Sequence, residues 1–500
     1  MLYEDLSMIN MQNMMSCKSI FLKSFFITLL FLGTGYQIKY AVDTFWTFEV
    51  GFEYMAFDMF SRNGRPIIAF IYWLFSLTNL QNEWFYYFSY ALAFICAMIS
   101  IVVYTEVLGY YIKNENLRIL LSFLSIINLY SIEYFMFVEE GGFLLGILFC
   151  VSAVYFINKY LRTSLPSNIA FALVMVLLAV CTYQGVLPVF FILSIPCICK
   201  NSDSMMDYIK KGLILCFIYL VSAGIYVIIY KLFCDGARSA TGNTLIERIK
   251  YAMYVIKHSY TTTANLLPKY LYMCIGLVIL VFSVFGITKL KDRGKAILNV
   301  VIIIVANSVL PVASLIVSSG WEAPRIIYPI MSLAGVLGVN YFINICDCSE
   351  EIDNNRLPKY VVTFVCLILL FSQYLSFTRI YNDKYKMNYA DMVRVQEIGQ
   401  TIKEYEAETG NKIVQFIFYY DAHQDNPYYQ GLYSEGDLVV SSFHSWDSQL
   451  NAINYYLGTD YQRLLQQDDT YKEYFSQLDW KCYSPSQIRC DYDTVHYCVY

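Results

Sequence analysis

Residues 86–108 read YYFSYALAFICAMISIVVYTEVL, with a single charge, Glu106, near the end. A helix that crosses a bilayer needs roughly 20 mostly apolar residues, so this stretch predicts a membrane span. Similar runs occur at residues 20–38, 117–132, 142–157, 168–183, 186–199, 212–232, 270–290, 296–318, 326–345 and 361–377. The expected fold is a polytopic α-helical membrane protein of about eleven spans, with a tight hairpin at Gln184-Gly185 joining two of them. The first run has Lys18 and Lys23 at its start and no small-residue cleavage site after it, so it reads as an anchor rather than a cleaved signal.

Composition agrees with a membrane body. Of the 500 residues, 57% are hydrophobic and only 15% charged, against about a quarter charged in soluble domains. The formal net charge of −5 is unevenly distributed. Residues 380–500 hold 9 Lys/Arg against 18 Asp/Glu, whereas residues 1–379 hold 26 against 22. A basic membrane module over 1–379 and an acidic soluble domain over 380–500 are therefore expected. A cytosolic enzyme, a disordered chain and a nucleic-acid partner are excluded, because no basic stripe on a soluble face is present to meet phosphates.

Basic short loops mark the cytoplasmic side. Residues 109–118, 158–167, 200–211, 289–295 and 347–359 each carry Lys or Arg, and Lys289-Leu-Lys-Asp-Arg-Gly-Lys295 is the clearest. This predicts a cytoplasmic N-terminus, provided that residues 66–80 lie at the outer interface as a helix begun by Pro66. The outer side then receives a first loop with interfacial helices (39–85), a small acidic loop at Glu139-Glu140, a second long loop (233–269) and the tail.

The tail reads as a small extracytoplasmic α/β domain. Residues 389–409 have helical spacing stopped by Gly410-Asn411. Residues 412–420 and 437–443 are rich in β-branched and aromatic side chains and predict strands, and residues 446–457 predict a helix. Among 15 cysteines, Cys482, Cys490 and Cys498 cluster without any CxxC spacing, leaving a disulfide or free thiols. His423 and His444 have no partner histidines at ligand spacing, so no metal site is expected.

The first outer loop concentrates the chemistry-bearing residues: Asp43, Glu49, Glu53 and Asp58 among aromatics, followed by Arg62-Asn63-Gly64-Arg65-Pro66. Each also has a plain structural reading. Asp43 suits a helix N-cap, Glu49, Glu53 and Asp58 suit the wet face of an interfacial helix, and Arg62 to Arg65 suit a turn with snorkelling arginines. Glu139 and Glu140 suit a helix entry.

An Asp in the first outer loop, the Asn63-Gly64-Arg65-Pro66 stretch, the Thr182-Tyr183-Gln184-Gly185 turn and Glu322-Ala-Pro-Arg325 before a late span resemble the serotype-converting O-antigen glucosyltransferases, polytopic glycosyltransferases of the GT-C class. The many acids of the loop and the cysteine-bearing tail depart from that pattern. The resemblance implies a multi-pass protein of the bacterial plasma membrane that moves a hexose, with glucose the first candidate, from a polyprenyl-phosphate donor to a surface glycan or lipid-linked acceptor, with inversion. It implies Asp43 as the base, with Glu49 and Asp58 as reserves. Arg65 and Arg325 are the implied phosphate clamps, and Arg62, Glu139, Glu140 and Gln184 complete the substrate-binding set. A divalent cation is left open. The one Asp-x-Asp pair, Asp491-Tyr-Asp493, sits far into the tail.

Two other classes share some of these features. A flippase places charged or broken helices at the midplane, commonly in paired repeats; here mid-span ions are few, no repeat is evident, and charge concentrates in the outer loops. A surface-polysaccharide polymerase shares the donor class and the outer site.

Overall fold

The computed structural model describes residues 18–33, 40–78, 80–137, 141–234, 244–317, 323–346, 357–420, 431–433, 435–443, 446–477 and 484–499. Of the residues singled out above, Glu139, Glu140, Glu322, His423, His444 and Cys482 lie outside that set. The chain divides into two compact units. One comprises residues 1–36 and 52–378, the other residues 37–51 and 379–500.

The first unit is helical. Its elements are α1 (residues 18–32), the C-terminal half of α2 (Val42–Ser61), α3 (Pro66–Ser76), α4 (Asn82–Gly109), α5 (Glu115–Ile126), α6 (Glu133–Met136), α7 (Phe143–Thr163), α8 (Pro166–Thr182), α9 (Leu187–Lys200), α10 (Met205–Phe233), α11 (Leu245–Thr262), α12 (Leu271–Ile287), α13 (Arg293–Val309), α14 (Ala313–Val317), α15 (Leu333–Asn340) and the first part of α16 (Leu357–Thr409). Among the described residues five helical segments are long and apolar enough to cross a membrane: α4, α7, α10, Tyr328–Cys346 and α16. A sixth is a broken one, α5 with Leu129–Met136, bent by 69°. Other expected spans form shorter apolar helices, such as α8 and α12 of 17 residues each. At 1.5 Å per residue these reach about 25 Å, short of a ~30 Å hydrocarbon core.

The break between α5 and α6 corrects the expectation of one straight span over 117–132. A bend inside a helix frees carbonyl groups, which a membrane interior does not tolerate unpaired. Here Tyr328 Oη donates to the Ile126 carbonyl and Gln373 Nε2 to that of Ile127. Asn128 completes the bend: its Oδ1 accepts from Tyr130 N (3.0 Å), and its Nδ2 donates to Tyr328 O (3.1 Å) and Ser332 Oγ (3.0 Å). Residues 233–269, expected as a long outer loop between spans, contain a helix. Most of the described part is α11, started by a capping box in which Thr244 and Glu247 bond reciprocally.

Among the described residues, segments near Lys23, 109–118, 158–167, 200–211 and 289–295, all expected on one side, gather at one end of this unit; residues 347–356 lie outside the described set. Lys23 Nζ pairs with Glu115 at 2.6 Å, Asn201 Nδ2 donates to Tyr111 Oη at 2.6 Å, Tyr111 Oη donates to Asn158 Oδ1, and Lys295 Nζ donates to Ser202 O at 2.6 Å. The polar turn at Gln184 stands at the opposite end of α8 from Asn158 and Ser164.

The second unit contains the N-terminal half of α2, the rest of α16, α17 (Trp446–Leu457), α18 (Asp469–Ser476) and a four-stranded sheet: β1 (Gln415–Tyr420), β2 (Gln462–Arg463), β3 (Ile488–Asp491) and β4 (Thr494–Val499). The strand order is β2-β1-β4-β3. β1 is parallel to both β2 and β4, and β3 and β4 form an antiparallel hairpin. Val395, Ile398 and Ile402 from α16 pack on Phe416, Phe418, Val495 and Tyr497 of the sheet. The helix expected over 389–409 is the end of the 53-residue α16 rather than a separate element. Residues 437–443 form turns, not a strand. Side chains of α16 take their backbone groups instead: Asp391 accepts from Ser442 N (2.7 Å) and Ser441 Oγ (2.7 Å), and Lys384 Nζ donates to Val440 O (3.1 Å).

Candidate functional site

The turn after α2 is built by its own polar residues. Asp58 is buried at 6% exposure. Its Oδ2 accepts from Asn63 Nδ2 at 2.7 Å, and its Oδ1 pairs with Arg62 Nη1 at 3.4 Å. Gly64 ends the turn with φ +64°, a conformation that glycine adopts without strain. No side chain fits there in any case, because a Cβ would lie 2.6 Å from Tyr226 Oη and 2.5 Å from Tyr230 Cδ2.

Gln184, in the turn between α8 and α9, fastens this loop from across the unit. Its Nε2 donates to the carbonyls of Gly64 (3.3 Å) and Asn63 (3.4 Å) and to Tyr226 Oη. Tyr226 Oη in turn donates to Gly64 O at 3.0 Å. The Nε2 of Gln184, a residue expected to bind substrate, thus ties down the loop backbone next to Arg65.

The Arg65 guanidinium carbon lies 4.8 Å from the Phe143 ring centroid and 4.9 Å from that of Tyr183. Those two rings stack at 4.2 Å and 1°. Both also meet Tyr134, at 6.0 Å and 6.2 Å between centroids. Tyr134 Oη donates to the backbone carbonyl of Arg325 at 2.8 Å. One aromatic cluster therefore links Arg65 to Arg325. The Arg325 guanidinium carbon lies 5.0 Å from the Phe137 ring centroid, and aromatic faces attract such cations.

Sequence reading overlooked one residue here, Glu133. It is fully buried, Arg325 N donates to its Oε2 at 2.6 Å, and Arg325 Nη1 donates to its Oε1. The available signal was a lone carboxylate just after an apolar run, eclipsed by the more conspicuous Glu139-Glu140 pair. Arg325, expected as a phosphate clamp, pairs with this carboxylate.

Asp43 and Glu49 belong to the second unit. Asp43 is exposed and sits in the first turn of α2. It is not the N-cap: the helix begins at Val42, and Thr44 Oγ1 accepts from Ala41 N at 3.0 Å. The segment is fixed by Tyr40, whose N donates to Asn388 Oδ1 (2.9 Å) and whose O accepts from Asn388 Nδ2 (2.9 Å). Partial burial, and then the negative charge of Asp460, hold the Glu49 carboxyl above its ordinary value. Among the described residues no group of three or more His, Cys, Asp or Glu is placed to hold a metal ion.

A protein-family model described as Glucosyl transferase GtrII matches residues 53–342, more than half of the chain. The match contains Asp58, Arg62, Arg65, Glu133, Gln184 and Arg325, and begins after Asp43 and Glu49. No curated protein matches the chain.

Proposed function

Since the chain belongs to the GtrII glucosyl transferase family, that of the serotype-converting O-antigen glucosyltransferases, we propose that it transfers glucose from a polyprenyl-phosphate donor to a cell-surface polysaccharide or glycolipid on the outer face of a bacterial plasma membrane. The observation that carries this reading is the pair Arg65 and Arg325 joined by the Tyr134, Phe143 and Tyr183 cluster. Two guanidinium groups beside aromatic faces suit a sugar phosphate: the cations meet the phosphate oxygens and the rings offer an apolar wall to sugar or prenyl chain.

Transfer proceeds with inversion. The acceptor oxygen bonds the anomeric carbon as the bond from that carbon to the phosphate oxygen breaks, and the electron pair leaves on the phosphate. The acceptor proton passes to a carboxylate, which we assign to Asp43. Glu49 is the reserve, its raised pKa suiting a base that must hold a proton. Asp58 is left to hold the Arg62–Arg65 turn. Arg65 and Arg325 stabilise the charge growing on the phosphate. The N-terminus and residues 289–295 face the cytoplasm in this scheme, and residues 380–500 face outward.

The test is to supply membranes containing the chain with polyprenyl-phosphate-glucose, with and without chelator, and to measure polyprenyl phosphate and glucosylated acceptor. Release of both is expected. Donor left intact in the presence of acceptor overturns the proposal.

A further inference from the structure

We propose that Glu133 is the positioning residue of the phosphate site: it aims Arg325 and, by neutralising it, lets the product phosphate leave. This rests on the donor chemistry proposed above and assigns a residue that the site otherwise lacks.

Glu133 and Arg325 are not equivalent partners. The Glu133 side chain is 0% exposed and that of Arg325 10%, so of the two the arginine is the one that solvent reaches at all. The carboxylate also spans two groups of one residue, taking the Arg325 backbone N–H on one oxygen and the guanidinium on the other. A side-chain pair alone fixes a charge. Adding the backbone bond fixes where the arginine begins and the direction it takes, and Tyr134 reinforces this by donating to the Arg325 carbonyl. A buried ion pair is weak evidence of stability, because desolvation offsets much of its attraction, so a role in the chemistry is the better account of a carboxylate in this place.

The charge change of the reaction gives the carboxylate its second task. The donor phosphodiester carries one negative charge. When the anomeric carbon–oxygen bond breaks, the electron pair stays on the phosphate, and the product monoester is the more negative species. Without Glu133 the arginine would hold that product more tightly than the donor and slow turnover. Glu133 opposes it.

The test compares purified full-length parent, Glu133→Gln, Glu133→Asp and Arg325→Ala, using a short-chain prenyl phosphate as product probe and its glucosyl diester as donor. Gln keeps an acceptor oxygen for the Arg325 N–H and removes the charge. Product inhibition should tighten about tenfold in Glu133→Gln, with lower donor KM and lower kcat, a split that a purely structural role does not produce. Glu133→Asp keeps the charge on a shorter arm, so product affinity should stay near that of the parent while kcat falls. Arg325→Ala should weaken both ligands. Unchanged product affinity in folded Glu133→Gln, with Arg325→Ala weakened, overturns the role of Glu133 alone. Should Glu133→Gln fail to fold, tightened product affinity in Glu133→Asp overturns it. Unchanged affinity in Arg325→Ala overturns the phosphate site itself.

Discussion

Tyr226 Oη donates to the carbonyl of Gly64 across 162 residues of sequence, and the same hydroxyl leaves no room for a side chain on Gly64. The arginine turn is therefore held by contact as well as by hydrogen bonding.

Gly64→Ala adds a methyl group where the nearest atoms are 2.5 and 2.6 Å away and where φ is positive. Overpacking of this kind costs about 1–3 kcal/mol, and the turn should move. The expected result is a lower thermal unfolding midpoint and donor KM raised severalfold. Tyr226→Phe removes the bond and keeps the space, so it should cost about 1 kcal/mol. Equal stability of parent and Gly64→Ala would show that the turn is looser than described.

Arg65→Ala and Arg325→Ala should both weaken donor binding while the chain still inserts and folds. Lysine should rescue only partly at either position, since a point charge lacks the guanidinium fork. Equilibrium binding of a glucosyl prenyl phosphate checks this. Full rescue by lysine would reduce the requirement to charge alone.

Asp43→Asn tests the base. A positioned base contributes on the order of 10²–10⁴-fold in rate, so transfer should fall by that order with donor binding and membrane abundance kept. Asp43 stands in the first turn of α2, and asparagine keeps its size and much of its capping ability. Glu49→Gln and Asp58→Asn run beside it at matched expression. Near-normal transfer in Asp43→Asn, with collapse in Glu49→Gln, moves the base to Glu49.

Glu49 and Asp460 make a pH prediction. The Glu49 carboxyl is raised in the folded chain by partial burial and by the Asp460 charge. A carboxyl whose folded value lies above its unfolded one, ordinarily about 4.3, favours folding while protonated. That contribution is present at low pH and lost as pH rises through the window between the two values. Glu49→Gln and Asp460→Asn should each raise the unfolding midpoint at pH 7 relative to the parent, and the gain should shrink toward pH 4. A gain independent of pH would point to packing rather than charge.

Much of the helical plan was legible because hydropathy and basic loops act locally. Residues 86–108 fall within α4, the Gln184-Gly185 hairpin lies where predicted, and residues 446–457 form α17. What escaped depends on distant partners. The bend at Asn128 exists because Tyr328 and Gln373 satisfy the freed carbonyls, and no local pattern announces them. Residues 437–443 have strand composition, but Asp391 and Lys384 engage their backbone first. Of the candidate site, Arg65 and Arg325 stand out in the sequence as cations beside the loops predicted to lie outside. Glu133 does not, since its importance arises from the bend that carries it inward.

The order of strands in the second unit has a consequence for biosynthesis. β4 lies between β1 and β3, paired with β1 along its whole length from Gln415↔Thr494 to Tyr420↔Val499. Residues 40–51, made early, belong to the same unit. Translation therefore delivers the segment bearing Asp43 and Glu49 more than 300 residues before the Asn388 that fastens Tyr40, and the sheet closes only when residues 494–499 have emerged. The early piece must wait for the late one, and a ribosome that stops before Thr494 leaves this unit unfinished.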